Sequence, residues 1–418
     1  MAPVGRASAA ADSNERACGA HPGPLSKPDR CASRIQWVSG LLIAFVVAAL
    51  VTLLLVRSAS LHAAHTSDRD FSKPQKVHTT PVPRIGGLAI ALGLLAWLGW
   101  HAWQGGHLEL PALLLACAMP AFLAGFVQDC TEAVTPRGRL IATAVSAMLA
   151  FHFIDAGLRQ TAIPGLDWLV TFALGSMALT VFTVAGIANA INIIDGFNGL
   201  ASMCVMLMLA AIGYVAFQVD DPLIGYMALA GIGAVLGFFL WNYPSGLIFM
   251  GDGGAYFLGF LVAELGILLI GRNPEVSPLF PLLVCIYPAF ETLFSIYRRG
   301  VLRQRPAHMP DGIHLHSLVY RRVMGWAVGD RSAKALTRRN ARTSPVLWVL
   351  CMVSILPAML FWSNTAVVAS FLVLFAVSYV ALYWRIVRFR SPRVLRLFGS
   401  RPIPLDTRPV DAGDNPGT

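Results

Sequence analysis

Residues Asn189 to Leu200 read N-A-I-N-I-I-D-G-F-N-G-L, the most polar stretch for many residues on either side, closing one apolar segment and opening the next. Asn189, Asn192 and Asp195 recur every three residues, so a helix that continues through them stacks their side chains along one face. Gly196 and Gly199 then break that helix. A carboxylate and amides at a helix end, beside glycines that let backbone approach a ligand, suit a hydrated anionic substrate at a membrane surface. The same residues would also make a plain polar turn between two spanning helices, since Asn-Gly clusters are ordinary turn chemistry. Spacing alone does not separate the two readings.

The composition around this stretch is that of a membrane protein. Of 418 residues, 56% are hydrophobic and 13% charged, against about 25% charged in a soluble domain, and the mean hydropathy is +0.63. The expected class is therefore an all-α, polytopic integral membrane protein. The net charge of +10 comes from arginines beside apolar segments, where orientation signals and anionic membrane lipid account for them. Nucleic acid is not an expected partner. The seven cysteines show no metal-binding spacing and mostly fall in apolar runs, as packing residues do.

The apolar run at about 36–56 is long and late enough to be a spanning anchor rather than a cleaved leader. Ten further candidates follow at roughly 86–103, 110–128, 139–155, 168–190, 199–217, 223–241, 255–271, 278–297, 345–362 and 366–386, giving about 11 transmembrane helices. Residues 1–34, rich in Ala, Pro, Ser and Gly, read as a disordered tail, 35–387 as the transmembrane domain, and 388–418 as a basic, flexible tail. Loops at about 58–85, 129–138, 191–198, 242–254 and 298–344 collect Lys76, Arg137, Arg139 and the basic run from Arg298 to Arg342. The positive-inside rule puts those loops and the C-terminus in the cytoplasm of a bacterial inner membrane. The N-terminus then falls in the periplasm, against its own arginines.

With this topology Asp129, Asp195, Asp252, His314, His316 and Lys76 all reach the cytoplasmic face. A transporter usually places ionisable groups near the bilayer midplane. Convergence at one interface favours chemistry between a cytosolic substrate and a lipid headgroup. Carboxylates gathered together repel unless a cation joins them, and hard oxygen ligands suit Mg²⁺, with Mn²⁺ as a substitute. Phosphoryl transfer asks a protein for little beyond positioning and charge neutralisation.

The residues resemble the polyprenyl-phosphate N-acetylhexosamine-1-phosphate transferases, which include enzymes that initiate O-antigen and teichoic acid synthesis and the peptidoglycan translocase. Five blocks carry the resemblance, in the family's order: Lys76 to Gly87 (K-V-H-T-T-P-V-P-R-I-G-G); Gly125 to Asp129 with Pro136, Arg139 and Leu140; Asn189 to Leu200; Phe249-Met-Gly-Asp252-Gly-Gly; and Asp311-Gly-Ile-His314-Leu-His316. The resemblance implies transfer of a sugar-1-phosphate from a UDP-amino sugar to undecaprenyl phosphate, giving a diphosphate-linked lipid and UMP, within lipopolysaccharide O-antigen biosynthesis or a related surface polysaccharide. It also implies Asp252 as the Mg²⁺ ligand, Asp129 beside the lipid phosphate and Lys76 facing phosphate. Asn189, Asn192, Asp195, Asn198, Phe249 and Gly251 fall on the nucleotide-sugar side, with Phe249 able to stack on uracil. His314 and His316 fall on the pyrophosphate loop. A homodimer is compatible with this reading. The other reading is a family member without activity that moves a lipid or solute.

The chain departs from the family pattern at three positions: Gln128 where an Asp is usual, Asn198 for the second Asp of D-G-x-D, and Ser317 for the last His of H-x-H-H. Gln128 and Asn198 can exchange hydrogen bonds but cannot act as bases, and Asn198 is a candidate determinant of sugar choice; the Gln128-Asp129 pair and Ser317 make the chain look more like the surface-polysaccharide branch. Glu264 and Glu291 fall inside spans, where a charge costs about 2.5–3.5 kcal/mol, so each should face the bundle or a wet cavity.

Overall fold

The computed structural model describes residues 27–61, 82–299, 314–324 and 333–388. Lys76, the expected phosphate-facing lysine, lies outside them, as do residues 1–26 and the tail beyond residue 388. Two units meet within the first helix, α1 (Lys27–Arg57), at Ser39 and Gly40. In the first unit the described residues are the opening turns of α1, so residues 27–34, which composition assigns to a disordered tail, are helical.

The second unit holds α2 (Gly86–Trp103), α3 (Glu109–Thr131), α4 (Pro136–Phe153), the short α5 (Leu166–Val170), α6 (Ala173–Ile194), α7 (Leu200–Gln218), α8 (Pro222–Asn242) and α9 (Gly251–Arg272). It continues with α10 (Phe280–Val284), α11 (Ile286–Tyr297), α12 (Leu315–Leu318), a π-helical turn at Val319–Met324, α13 (Ala333–Leu360) and α14 (Thr365–Val387). Among the described residues nine helices are long and apolar enough to cross a membrane: α1, α2, α3, α6, α7, α8, α9, α13 and α14.

Two expected spans take other forms. The helix expected at 139–155 is present as α4, capped by Thr135, whose hydroxyl accepts from Gly138 N at 3.1 Å, with Pro136 in the first turn. Arg137 and Arg139 in that turn dilute its apolar character. The segment expected to span at 278–297 is instead broken at Cys285 into α10 and α11. Pro281 and Pro288 lack the N–H that a continuous ladder needs. Part of the expected loop at 298–344 is helical too, since α13 begins at Ala333.

The bundle is built around α9, whose residues from Gly251 to Ile270 are all buried. It packs on α2, α3, α6 and α7. Without a hydrophobic force between helices in lipid, close packing depends on small residues. A Cβ added at Gly259 would lie 2.4 Å from Ala188 Cα of α6. The same device brings α1 onto α8, where Cβ atoms at Gly233 and Gly237 would lie 2.3 Å from Leu41 O and 2.5 Å from Phe45 O. Outward faces carry exposed apolar side chains, such as Leu42, Leu50 and Leu54 of α1 and Val373 and Val377 of α14. Glu264 faces the bundle, fully buried, with neither carboxyl oxygen hydrogen-bonded among the described residues.

Candidate active site

One end of α9 is where three other chain segments come closest. Backbone bonds from Gly86 N to Phe249 O (2.9 Å), Gly87 N to Met250 O (2.8 Å) and Phe249 N to Pro83 O (2.8 Å) tie the approach to α2 against the approach to α9. Only glycine fits this crossing. A Cβ at Gly87 would lie 2.3 Å from Gly254 N, one at Gly125 of α3 would lie 2.5 Å from Gly253 N, and one at Gly251 would lie 1.8 Å from Arg84 O. Gly251 also takes φ +78°, a conformation that costs a side chain. These contacts give the Gly-Gly of the first block, the Gly of the second and the glycines of the fourth one physical purpose.

The crossing aims polar groups at one point. Asp129, one turn beyond Gly125 and 6% exposed, accepts Asp252 N at 2.9 Å with Oδ1 and Gly253 N at 2.8 Å with Oδ2. Its carboxylate thereby caps the N-terminus of α9, where donors lack partners and the helix dipole favours an anion. Asp252, in the first turn of α9, pairs with Arg139 of α4. The Arg139 guanidinium also lies over the Tyr256 ring at 5.7 Å, and the Tyr256 hydroxyl donates to Asn189 Oδ1 at 3.2 Å and is within reach of Asn192.

Asp195 closes the group from the end of α6. Burial, then the charge of Asp252, pushes its carboxyl up to about 7, while Arg84 and the Gly251 backbone pull in the other direction. Asp129, Asp195 and Asp252 therefore meet with Arg84 and Arg139, and the half-buried Phe249 lies in the strand of chain leading to α9. Arg84 and Tyr256 were not singled out in the sequence. Their signals were there: Arg84 precedes the Ile-Gly-Gly of the first block, and Tyr256 follows Asp252 by one helical turn.

The turn from Asp195 to Gly199 is held from outside the site. Gly199, at φ +72°, donates its N–H to Asn242 Oδ1 at 2.7 Å, and its carbonyl accepts from Trp348 Nε1 at 3.0 Å. Asn198 is fully buried: its N–H donates to Asn340 Oδ1 (2.8 Å), its Nδ2 to Pro244 O (3.0 Å), and its carbonyl accepts from Ser344 Oγ (2.6 Å). Gln128 has a similar duty, with Oε1 accepting Val134 N at 2.8 Å in the turn between α3 and α4. Both departures from the family pattern thus sit at anchoring positions.

His314 and His316 stack with ring centroids 5.1 Å apart and turn Nδ1 toward Glu291 Oε1, at 3.3 and 3.7 Å. His316 meets Phe197 edge to face at 5.5 Å, which places the histidines beside the Asp195 turn.

The donor set fits a divalent cation that also draws on substrate. Mg²⁺ needs one or two carboxylates and takes its remaining oxygens from phosphates and water. The charge of Asp252 reaches Asp195, so the two stand close to each other, whereas each oxygen of Asp129 accepts a backbone N–H. Among the described residues no group of three or more His, Cys, Asp or Glu forms a complete metal site.

The model of the family "Glycosyl transferase family 4" matches residues 111–270. A probable undecaprenyl-phosphate N-acetylglucosaminyl 1-phosphate transferase of Bacillus subtilis is 31% identical over 299 residues, covering 70% of this chain and 79% of that one. An undecaprenyl-phosphate alpha-N-acetylglucosaminyl 1-phosphate transferase of Thermotoga maritima is 27% identical, with 66% and 81% covered. A phospho-N-acetylmuramoyl-pentapeptide-transferase of Streptococcus thermophilus is 30% identical over 45% of this chain and 58% of its own length.

Proposed function

The chain belongs to glycosyl transferase family 4, the polyprenyl-phosphate N-acetylhexosamine-1-phosphate transferases, and we propose that it moves N-acetylhexosamine-1-phosphate from a UDP-sugar to undecaprenyl phosphate at the cytoplasmic face of a bacterial inner membrane. The product is the lipid diphosphate that carries the first sugar of a surface polysaccharide, and UMP leaves. The observation that carries the reading is the meeting of Asp129, Asp195 and Asp252 with Arg84 and Arg139 at one end of the bundle.

In the proposed reaction an oxygen of the lipid phosphate attacks the sugar-linked phosphorus. The bond from that phosphorus to the bridging oxygen breaks, and UMP departs with the oxygen. A phosphate monoester has its second pKa at about 6, so the acceptor is largely dianionic without a base. Direct attack is favoured over a phospho-aspartate because both Asp129 oxygens accept N–H donors at α9, which draws electron density from them and lowers their nucleophilicity. Mg²⁺ held by Asp252, with Asp195 beside it, would neutralise the diphosphate as charge passes to UMP. Arg84 and Arg139 place positive charge where phosphate oxygens gather.

Purified protein with undecaprenyl phosphate and a panel of UDP-sugars tests this. UMP release that needs Mg²⁺ and is lost in Asp252→Asn is expected; no release with any sugar overturns the reading. Single-turnover labelling addresses the mechanism, since sugar-phosphate left on Asp129 after denaturation would exclude direct attack.

A further inference from the structure

Glu291 is 1% exposed on α11, and among the described residues its hydrogen bonds lead toward the histidine segment and α14. Oε1 accepts Leu315 N at 2.7 Å and faces Nδ1 of His314 and His316. Oε2 accepts the Tyr379 hydroxyl at 2.8 Å. Tyr379 is 1% exposed on α14, its ring wedged between Phe290 and Phe294 of α11 at centroid distances of 5.1 and 5.6 Å. Both residues lie outside residues 111–270, the region matched by the family model.

A buried carboxylate is destabilising unless its lone pairs are met. Here the donors that meet them come from two separate places: α14 on one side, the histidine segment on the other. An imidazole whose Nδ1 faces a carboxylate presents Nε2 on the far side of the ring, and the second partner of a histidine sets its orientation.

We propose that Tyr379 and Glu291 are positioning residues for the transfer: the Tyr379 hydroxyl fixes the Glu291 carboxylate, and that carboxylate, through its bond from Leu315 N and its charge beside Nδ1 of His314 and His316, holds the histidine segment beside the Asp195 turn. The last helix of the bundle thereby sets the geometry of a site it does not enter. This rests on the proposed transfer for its kinetic consequence, but ring ordering can be measured without turnover.

The test uses the full chain in detergent as wild type, Tyr379→Phe, Glu291→Gln and the double variant. Tyr379→Phe keeps the ring packing and removes one hydroxyl. Initial rates of UMP release are measured with UDP-GlcNAc and undecaprenyl phosphate varied in turn, and carbethoxylation of His314 and His316 is followed by mass spectrometry. Tyr379→Phe should lower kcat by about tenfold, the scale of one hydrogen bond to a charged group, with KM values within about twofold. The histidines should be modified several times faster than in wild type. The double variant should be no worse than Glu291→Gln, because the hydroxyl acts only through that carboxylate. Wild-type carbethoxylation rates in Tyr379→Phe, or losses that multiply in the double variant, overturn the proposal. If the wild type releases no UMP, the proposed transfer fails and the carbethoxylation arm alone decides the positioning role.

Discussion

Replacing Gly125 by Ala tests whether the glycine crossing builds the site. The new Cβ would lie 2.5 Å from Gly253 N and 2.6 Å from Asp252 C, both backbone atoms that no rotamer change can move. Ordinary contact begins at 3.4 Å, so α3 and α9 must part by about 0.9 Å. Asp129 lies one turn further along α3, and its bonds of 2.9 and 2.8 Å to Asp252 N and Gly253 N would stretch to about 3.7 Å, beyond hydrogen-bond range. Two bonds to a charged acceptor are worth about 3–6 kcal/mol together, with about 1–3 kcal/mol more for overpacking. A displacement of this size at reacting groups costs about 100-fold in rate. UMP release and thermal unfolding in detergent would show both losses. Gly99→Ala is the control: its Cβ meets nothing within 4 Å in the interior of α2, so full activity and a gain of about 0.5–1 kcal/mol are expected. Gly125→Ala retaining more than about a third of wild-type turnover would refute the argument, since a displaced site cannot work at that rate.

Asp195 should report its environment through pH. Its carboxyl is raised to about 7 by burial and by Asp252, so the folded protein binds that proton more tightly than the unfolded chain. The stability this gives is present below about pH 4 and lost as pH rises through 7. In Mg²⁺-free buffer Asp195→Asn should therefore raise the melting temperature relative to wild type more at pH 8 than at pH 5, while activity falls; a pH-independent difference would contradict this. Asn198→Asp should lower the melting temperature without altering sugar preference, because a buried carboxylate oxygen would face Pro244 O where Nδ2 now donates at 3.0 Å. A changed ranking of UDP-sugars in that variant would return Asn198 to the specificity site. Arg139→Gln should leave Asp252 without its cation, so the melting-temperature gain on adding Mg²⁺ should exceed that of wild type; an equal gain would mean that metal and guanidinium do not share the carboxylate.

The sequence shows the helical bundle and the end at which its polar groups gather because both follow from local patterns: apolar length, arginine sidedness and polar helix ends. The turn after α6 illustrates this, since Asn189, Asn192, Asp195, Gly196 and Gly199 stand where their spacing places them, with the helix ending at Ile194 and the next starting at Leu200. Pairings across the chain carry no such pattern. Arg139 and Asp252 are 113 residues apart, and Asn198 and Ser344 are 146 apart. For the same reason the sequence, which gives Asn198 as a substrate contact from its place in D-G-x-N, does not show that it is fully buried and bonded to Asn340, Pro244 and Ser344. The broken span at Cys285 was partly legible, since Pro281 and Pro288 stand within it, but an apolar run of that length reads as one helix until tertiary contacts fix its course.

The two missing acids now have a physical meaning. A second carboxylate at Gln128 would stand at a side chain that accepts Val134 N, and one at Asn198 would stand in a fully buried turn, so neither departure removes charge from the point where Asp129, Asp195 and Asp252 meet. There, among the described residues, three carboxylates face the guanidiniums of Arg84 and Arg139, leaving one negative charge uncompensated before any substrate arrives. A lipid phosphate and a nucleotide diphosphate would bring several more. Without a cation the group can relieve itself only by taking up protons, shared among its crowded carboxyls. With a divalent cation on Asp252, those protons have no electrostatic reason to stay. Phosphate binding, metal binding and proton release from the carboxyl cluster should therefore be one linked event, read as protons released when Mg²⁺ and UDP-sugar bind together but not when UDP-sugar is added alone.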